Sequence, residues 1–260
     1  MKDDLELIRD AARQAGETAL RLKAAGALKV EFKTNGTPVS SADLALDRLL
    51  HETLTAARPD YGWLSEERAD DGSRLQRWRS FVIDPIDGTR AFVKDRPWWA
   101  VSIAVVEDGA PVAGVVHAPE LDELYEASAG GGARLNGVPI ATSARAALKD
   151  CAVLGNAHTL TNADWPPMRI ETRNSIAYRM ALVAAGAFDA TIALSTKCDW
   201  DIAAADLIAR EAGGRVSDHL GAPFAYNLAS SRKPSLICAG PALYPLILER
   251  VGHIQPHHAA

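Results

Sequence analysis

The segment Phe81-Val82-Ile83-Asp84-Pro85-Ile86-Asp87-Gly88-Thr89 constrains this chain more than any other. Three consecutive apolar residues are too short a run for a helix and read as a buried strand that ends at Asp84. A second carboxylate, Asp87, follows across a proline. Two carboxylates held that close repel, and the repulsion raises one pKa unless a cation compensates. A hard divalent ion does so, and an all-oxygen donor set suits magnesium. The carbonyl of Ile86, between the two acids, is a further oxygen. Gly88-Thr89 then opens a short helical stretch, Arg90-Ala91-Phe92-Val93. Backbone N–H groups at a helix start receive phosphate. One short segment therefore offers metal ligands, an anion nest and a hydroxyl.

The rest of the chain divides into periodic segments. Leu5, Ile8, Ala12, Ala15, Ala19 and Leu22 predict an amphipathic helix over 4–25. A second helix follows Pro38-Val39-Ser40-Ser41-Ala42-Asp43 and runs to about Ala57, with Ser40 or Ser41 as N-cap. Pro59 and Gly62 end it as turn residues. Strand-like runs at 99–107 and 111–117 are joined by Glu107-Asp108-Gly109-Ala110. Another pair, 124–128 and 133–135, flanks a glycine run, and Asn136-Gly137 marks a further turn. The first half therefore reads as helices followed by an antiparallel meander. The second half alternates: strand 151–155, helix 175–186, strand 188–194, helix 200–212, strand 235–239, helix 241–251. No repeat or proline-rich linker intervenes. The expectation is one compact α/β chain of two layered halves, 1–145 and 146–260.

Composition narrows the function. The 33 acids against 28 bases give a net charge of −5. That argues against binding a nucleic-acid polymer, which needs clustered Lys and Arg. It does not argue against a small anionic substrate if divalent cations lie between the two. Cys151, Cys198 and Cys238 show no CxxC spacing and suit a reducing, cytoplasmic setting. The N-terminus lacks the apolar core of a signal peptide, and no run of 18 apolar residues predicts a membrane span. The terminal His-Ile-Gln-Pro-His-His-Ala-Ala reads as a tail rather than a metal site.

Three more acids stand out: Glu66 and Glu67 in Trp63-Leu64-Ser65-Glu66-Glu67, and Asp201 at the start of a helix beside Trp200. Each alone is as readily a turn residue or a helix cap. Together with their neighbours they form a pattern. Pro38-Val39-Ser40-Ser41-Ala42-Asp43, Trp63-Leu64-Ser65-Glu66-Glu67, Asp84-Pro85-Ile86-Asp87-Gly88-Thr89, Gly132-Ala133-Arg134-Leu135-Asn136-Gly137 and Trp200-Asp201-Ile202-Ala203-Ala204, the last followed by Glu211-Ala212-Gly213-Gly214, stand in this order over roughly residues 30–225. The chain resembles the inositol monophosphatase superfamily in all five.

The resemblance implies a layered αβαβα sandwich, often a homodimer, and a magnesium-dependent, lithium-sensitive phosphomonoesterase with two or three metal ions. Glu66, Asp84 and the Ile86 carbonyl would hold one ion. Asp84, Asp87 and Asp201 would hold a second, and Glu66 would help with a third through water. Asp43 and Thr89 would orient the attacking water and move its proton, with Glu67 beside the site. Asp87, Gly88 and Thr89 would receive the phosphate. A degenerate, catalytically silent binding protein is the non-enzyme alternative.

The ester is less constrained. Inositol-hydrolysing members carry a Glu seven residues before the metal-binding Asp of the WD motif. Here that position is Leu194, which speaks against inositol 1-phosphate. Lys33-Thr34-Asn35-Gly36-Thr37-Pro38-Val39 and Arg90-Ala91-Phe92-Val93 resemble bacterial 3′(2′),5′-bisphosphate nucleotidases, with Lys197 and Arg179 as candidates for a second phosphate. Histidinol-phosphate phosphatases share the Asp-Gly-Thr-Arg-Ala-Phe run. Trp98-Trp99 reads either as a base-stacking shelf or as core.

Overall fold

The structure, a computed structural model, describes residues 3–26, 28–34, 36–156, 160 and 165–254. His257 and His258 of the terminal stretch lie outside them. Helix α1 (Asp4–Ala24) and helix α2 (Ser41–Ala57) form over the two predicted spans. Each buries one stripe at helical spacing: Ile8, Ala12, Ala15 and Ala19 from α1, and Leu46, Leu50 and Leu54 from α2. Ser40, not Ser41, is the N-cap of α2. A small antiparallel hairpin, β1 (Val30–Phe32) and β2 (Pro38–Ser40), leads into it.

A seven-stranded sheet follows: β3 (Gly62–Ser65), β4 (Arg79–Asp87), β5 (Ala100–Glu107), β6 (Ala110–Ala118), β7 (Glu123–Ser128), β8 (Ala133–Leu135) and β9 (Val138–Pro139), in that spatial order. From β4 to β9 every pairing is antiparallel, which is the predicted meander. Its turns use the left-handed pairs Asp108-Gly109 and Asn136-Gly137, as tight hairpins require. Strand β3 was not expected, since Gly62 read only as a turn residue. Four residues are too few for periodicity to register, and β3 is a strand because the edge of β4 pairs with it, in parallel, from Gly62↔Ser80 to Ser65↔Ile83.

A second, five-stranded sheet has the order β11 (Arg169–Glu171), β10 (Ala152–Gly155), β12 (Ala190–Ala193), β16 (Leu236–Ala239), β14 (Arg215–Ser217). Strands β10, β12 and β16 fall in the predicted runs; β11 and β14 are three-residue edge strands without a sequence signal. A separate two-stranded ribbon pairs β13 (Lys197–Cys198) with β15 (Arg232–Lys233). The remaining helices are α3 (Thr89–Val93), α4 (Ile176–Ala184), α5 (Asp199–Glu211) and α6 (Tyr244–Val251).

These elements stack as α, β, α, β, α. Helices α1 and α2 cover one face of the large sheet, with Phe81, Ile83, Val101 and Ile103 beneath them. Val82, Ala104 and Val116 point the other way, into a core shared with α4, α5 and Leu154 and Leu236 of the second sheet. The outer face of that sheet packs Val153, Ile192 and Ile237 against Ile247 and Val251 of α6. Strand β4 is buried on both faces, which is why its middle, Phe81-Val82-Ile83, reads as an unbroken apolar run. The two sheets lie on either side of residue 145 in the chain, yet α5 crosses to pack on β4 through β7. Its backbone comes so close to β6 that a Cβ on Gly114 would stand 2.7 Å from the Ala204 carbonyl oxygen. Among the described residues, no helix is long and apolar enough to cross a membrane.

Candidate active site

Parallel pairing of β3 and β4 makes both strands leave the sheet at one edge. The last pair is Ser65↔Ile83, and Glu66 N donates to the Ile83 carbonyl at 3.2 Å. Glu66 and Asp84 therefore emerge side by side. Asp201 comes from the other half, in the first turn of α5, where its Oδ2 accepts from Cys198 N at 2.7 Å. One carboxylate oxygen from each of Glu66, Asp84 and Asp201 lies within 4.8 Å of the others.

Asp87 is buried at the bulge that breaks the β4–β5 register and lines the same cavity of about 310 Å³, but it stands outside that triple. Its Oδ2 accepts from Ser175 Oγ at 2.6 Å and from Ala177 N at 2.7 Å, at the start of α4. Gly88, Thr89 and Asp201 line this cavity too. Between the acids, Ile86 N donates to Asp84 Oδ1 at 3.0 Å.

Asp43 is buried in the first turn of α2, where its Oδ2 accepts from Ser40 N at 2.8 Å and from Ser40 Oγ at 2.5 Å. Its free Oδ1 lies 3.0 Å from Thr89 Oγ1, which is also 3.2 Å from the Ile86 carbonyl. A hydroxyl has one hydrogen, so donation to Asp43 leaves the Ile86 oxygen available. Lys33 Nζ stands 2.8 Å from both Glu66 Oε1 and Glu67 Oε1. That pairing had no residue-level signal in the sequence, because β1–β2 carries Lys33 across to the end of β3.

Burial and crowding raise the proton affinity of Asp84, Asp201, Asp87, Glu67 and Asp43. Asp84 is driven well above the usual carboxylate range by burial and by the charges of Glu66, Asp87 and Asp201. Asp201 is pushed up to about 8 by burial and by Asp87. Asp87 is pushed up to about 6 by burial, against the opposing bonds from Ser175 and Ala177. Glu67 rises to about 7, mainly through burial, and burial raises Asp43 as well.

A second cavity, of about 460 Å³, adjoins the first and shares Arg90, Asn174 and Arg179 with it. Lys197 and Leu194 also line it. Among the described residues, Arg90, Arg179 and Lys197 have no carboxylate within ion-pairing distance. Arg179 donates to the Arg173 carbonyl at 2.6 Å, and Lys197 to the Thr196 carbonyl and Ser195 Oγ at 2.9 Å each. Trp99 is core, edge-on to Phe92 at 4.9 Å, and Trp98 carries the Arg173 guanidinium 4.3 Å from its ring centre. The tryptophan pair is packing rather than an open stacking shelf.

Comparison with known proteins decides the family. A model of the inositol monophosphatase family matches residues 2–255. The chain belongs to that family. It is 39% identical over 205 residues to an inositol-1-monophosphatase of Mesorhizobium japonicum, covering 74% of this chain and 76% of that protein. It is 32% identical over 240 residues to a 3′(2′),5′-bisphosphate nucleotidase, CysQ, of Aggregatibacter actinomycetemcomitans, covering 87% and 88%. The crystal structure of the extragenic suppressor protein SuhB from Bartonella henselae superposes with a TM-score of 0.85 at 28% identity, over 97% of this chain and all of that one.

As a member of this phosphatase family the chain is a phosphoric monoester hydrolase. The family is generally magnesium-dependent, and the donor set here fits such an ion. Three carboxylates converge with oxygens only, and burial, with neighbouring carboxylates second, raises the proton affinities of Asp84 and Asp201, a cost that a divalent cation offsets.

Proposed function

We propose that this chain hydrolyses a small phosphate monoester that carries a second anionic group, in the manner of a 3′(2′),5′-bisphosphate nucleotidase. The observation that carries this is the cavity beside the acid cluster, which Arg90, Arg179 and Lys197 line together, none of them within ion-pairing distance of a carboxylate among the described residues. Cations so placed raise the local potential for an anion. Histidinol phosphate brings an ammonium group to that wall and is disfavoured. Inositol 1-phosphate remains the second reading, supported by the 39% identical relative. It has no second anion for these cations, and apolar Leu194 lines the cavity where a ring-contacting acid would stand.

In this scheme Glu66, Asp84 and the Ile86 carbonyl would hold one magnesium ion, and Asp84, Asp87 and Asp201 a second, with Glu66 helping with a third through water. Bound there, magnesium neutralises the phosphate and lowers the pKa of water. The chain's own groups do the rest. Thr89 donates to Asp43 Oδ1, which turns a lone pair of its Oγ1 toward the attacking water and opens a proton path to Asp43. Ser40 fixes Asp43 through two bonds on the other oxygen, so the free one stays aimed at Thr89. Gly88 and Thr89 amides receive the phosphate, and Arg179 and Lys197 the second anion. Residues 1–145 and 146–260 act as two halves that meet at this site. Three free cysteines suit a cytoplasmic enzyme, and the family resemblance supports a homodimer.

The test is kcat/KM with magnesium for adenosine 3′,5′-bisphosphate, inositol 1-phosphate, histidinol phosphate and fructose 1,6-bisphosphate. The bisphosphorylated nucleoside should rank first, and Lys197→Ala should raise its KM roughly tenfold or more, as expected for a lost charged hydrogen bond. Inositol 1-phosphate ranking first would overturn the substrate assignment. No magnesium-dependent phosphate release from any ester would overturn the whole scheme.

A further inference from the structure

Asp47 has no part in the chemistry above, yet it is a carboxylate only 4% exposed, one turn beyond Asp43 on α2. Its Oδ1 accepts from Ser65 Oγ at 2.6 Å and its Oδ2 from Arg68 Nε at 2.6 Å. Ser65 and Arg68 are the two ends of the turn that follows β3, with Glu66 and Glu67 between them. Ser65 Oγ also accepts from Glu67 N at 3.3 Å. One buried carboxylate thus grips both ends of the turn that presents Glu66.

Glu66 has two further contacts. Its N donates to the Ile83 carbonyl at 3.2 Å, and Lys33 Nζ, on the loop between β1 and β2, stands 2.8 Å from its Oε1. Nothing about packing alone calls for an acid at position 47, since Leu46, Leu50 and Leu54 already supply the apolar stripe of α2.

We propose that Asp47 is a positioning residue for Glu66: by clamping Ser65 and Arg68 it holds the turn at the spacing that lets Glu66 join Asp84 on a divalent cation beside Asp201. Helix α2 then serves the site twice, through Asp43 to Thr89 and through Asp47 to Glu66. The proposal rests on the assignment of Glu66, Asp84 and Asp201 as a cation site. Partners that orient a metal ligand typically contribute 10–100-fold in metal affinity, and that range is expected here.

The test is direct binding of manganese, a paramagnetic stand-in for magnesium, to the full chain, read from loss of the free-ion electron paramagnetic resonance signal. Wild type, Asp47→Ala, Ser65→Ala, the double variant of these two and Asp84→Asn are compared, with turnover measured separately at saturating metal. Asp47→Ala should weaken manganese binding roughly tenfold or more and Ser65→Ala by a smaller factor, with kcat at saturating metal changed only a few-fold. The double variant should bind no more weakly than Asp47→Ala alone, because both act through one clamp. Unchanged manganese affinity in folded Asp47→Ala and Ser65→Ala would overturn the proposal. If Asp47→Ala does not fold, Ser65→Ala, which removes one hydroxyl, decides alone. Wild type binding no better than Asp84→Asn would instead bring down the cation-site assignment, and the clamp with it.

Discussion

Asp87 and Asp201 show how far single residues are taken from their ordinary behaviour. Burial first, and neighbouring charge second, raise Asp201 to about 8, while burial takes Asp87 to about 6. In the unfolded chain both titrate near 4. An acid whose folded pKa lies above its unfolded value favours the fold while it is protonated, and that contribution is lost as pH rises through the folded pKa. Without metal, the protein should lose stability progressively from about pH 4 to about pH 8. Magnesium replaces the lost protons, so the rise in Tm it produces should be larger at pH 8 than at pH 5. Thermal melts at both pH values with and without magnesium check this; a larger gain at pH 5 would contradict the cluster's protonation.

At the scale of elements, the strand-to-helix turn after β4 is the critical joint. Gly88 adopts φ 93°, and a Cβ on it would lie 3.0 Å from both Ser175 N and the Trp98 carbonyl oxygen. Gly88→Ala should lower stability by about 2–3 kcal/mol, combining a left-handed penalty with backbone crowding. It should abolish turnover as well, because Asp87 and Thr89 flank it. Urea unfolding alongside a phosphate-release assay measures both effects. The longer elements were legible because repetition carries a signal: α1 and α2 repeat every three to four residues, and β5 and β6 are long, mainly apolar runs between turn residues. Strands β3, β11 and β14 were not, since three or four residues repeat nothing and their partners decide that they pair.

For the whole molecule, the question is what joins the two sheets around the site. Helix α5 packs across the large sheet, and its first residue, Asp199, makes a buried ion pair with Lys233 of β15 at 2.7 Å. Asp199 Oδ2 also accepts from Asn227 N at 2.8 Å, so this turn, which carries Asp201, is anchored from the far end of the chain. Lys233→Met removes one partner of a buried pair and leaves a charge uncompensated, a loss of about 3–5 kcal/mol. Replacing both, as Asp199→Asn with Lys233→Met, should recover much of it. Chemical denaturation of the three proteins gives the comparison, and an equal loss in the single and double variants would show that the pair does not stabilise the joint.

The candidate residues stood out in the sequence in two ways: Asp84, Asp87 and Thr89 by their spacing in one segment, and Glu66, Asp201 and Asp43 by the family resemblance of the stretches that carry them. Spacing speaks where an oxygen-liganded cation and a phosphate make demands on one short stretch of chain. Tertiary structure alone decided which of them meet. Parallel pairing of β3 with β4 set Glu66 beside Asp84, the crossing of α5 brought Asp201 to them, and the docking of α4 turned Asp87 toward Ser175. It alone joined Arg90, Arg179 and Lys197 in one cavity and placed Asp47 under the turn that presents Glu66. The reason is physical: a residue's donors and charge are local properties, whereas the distance between residues remote in sequence is set by strand pairing and by the burial of shared apolar faces.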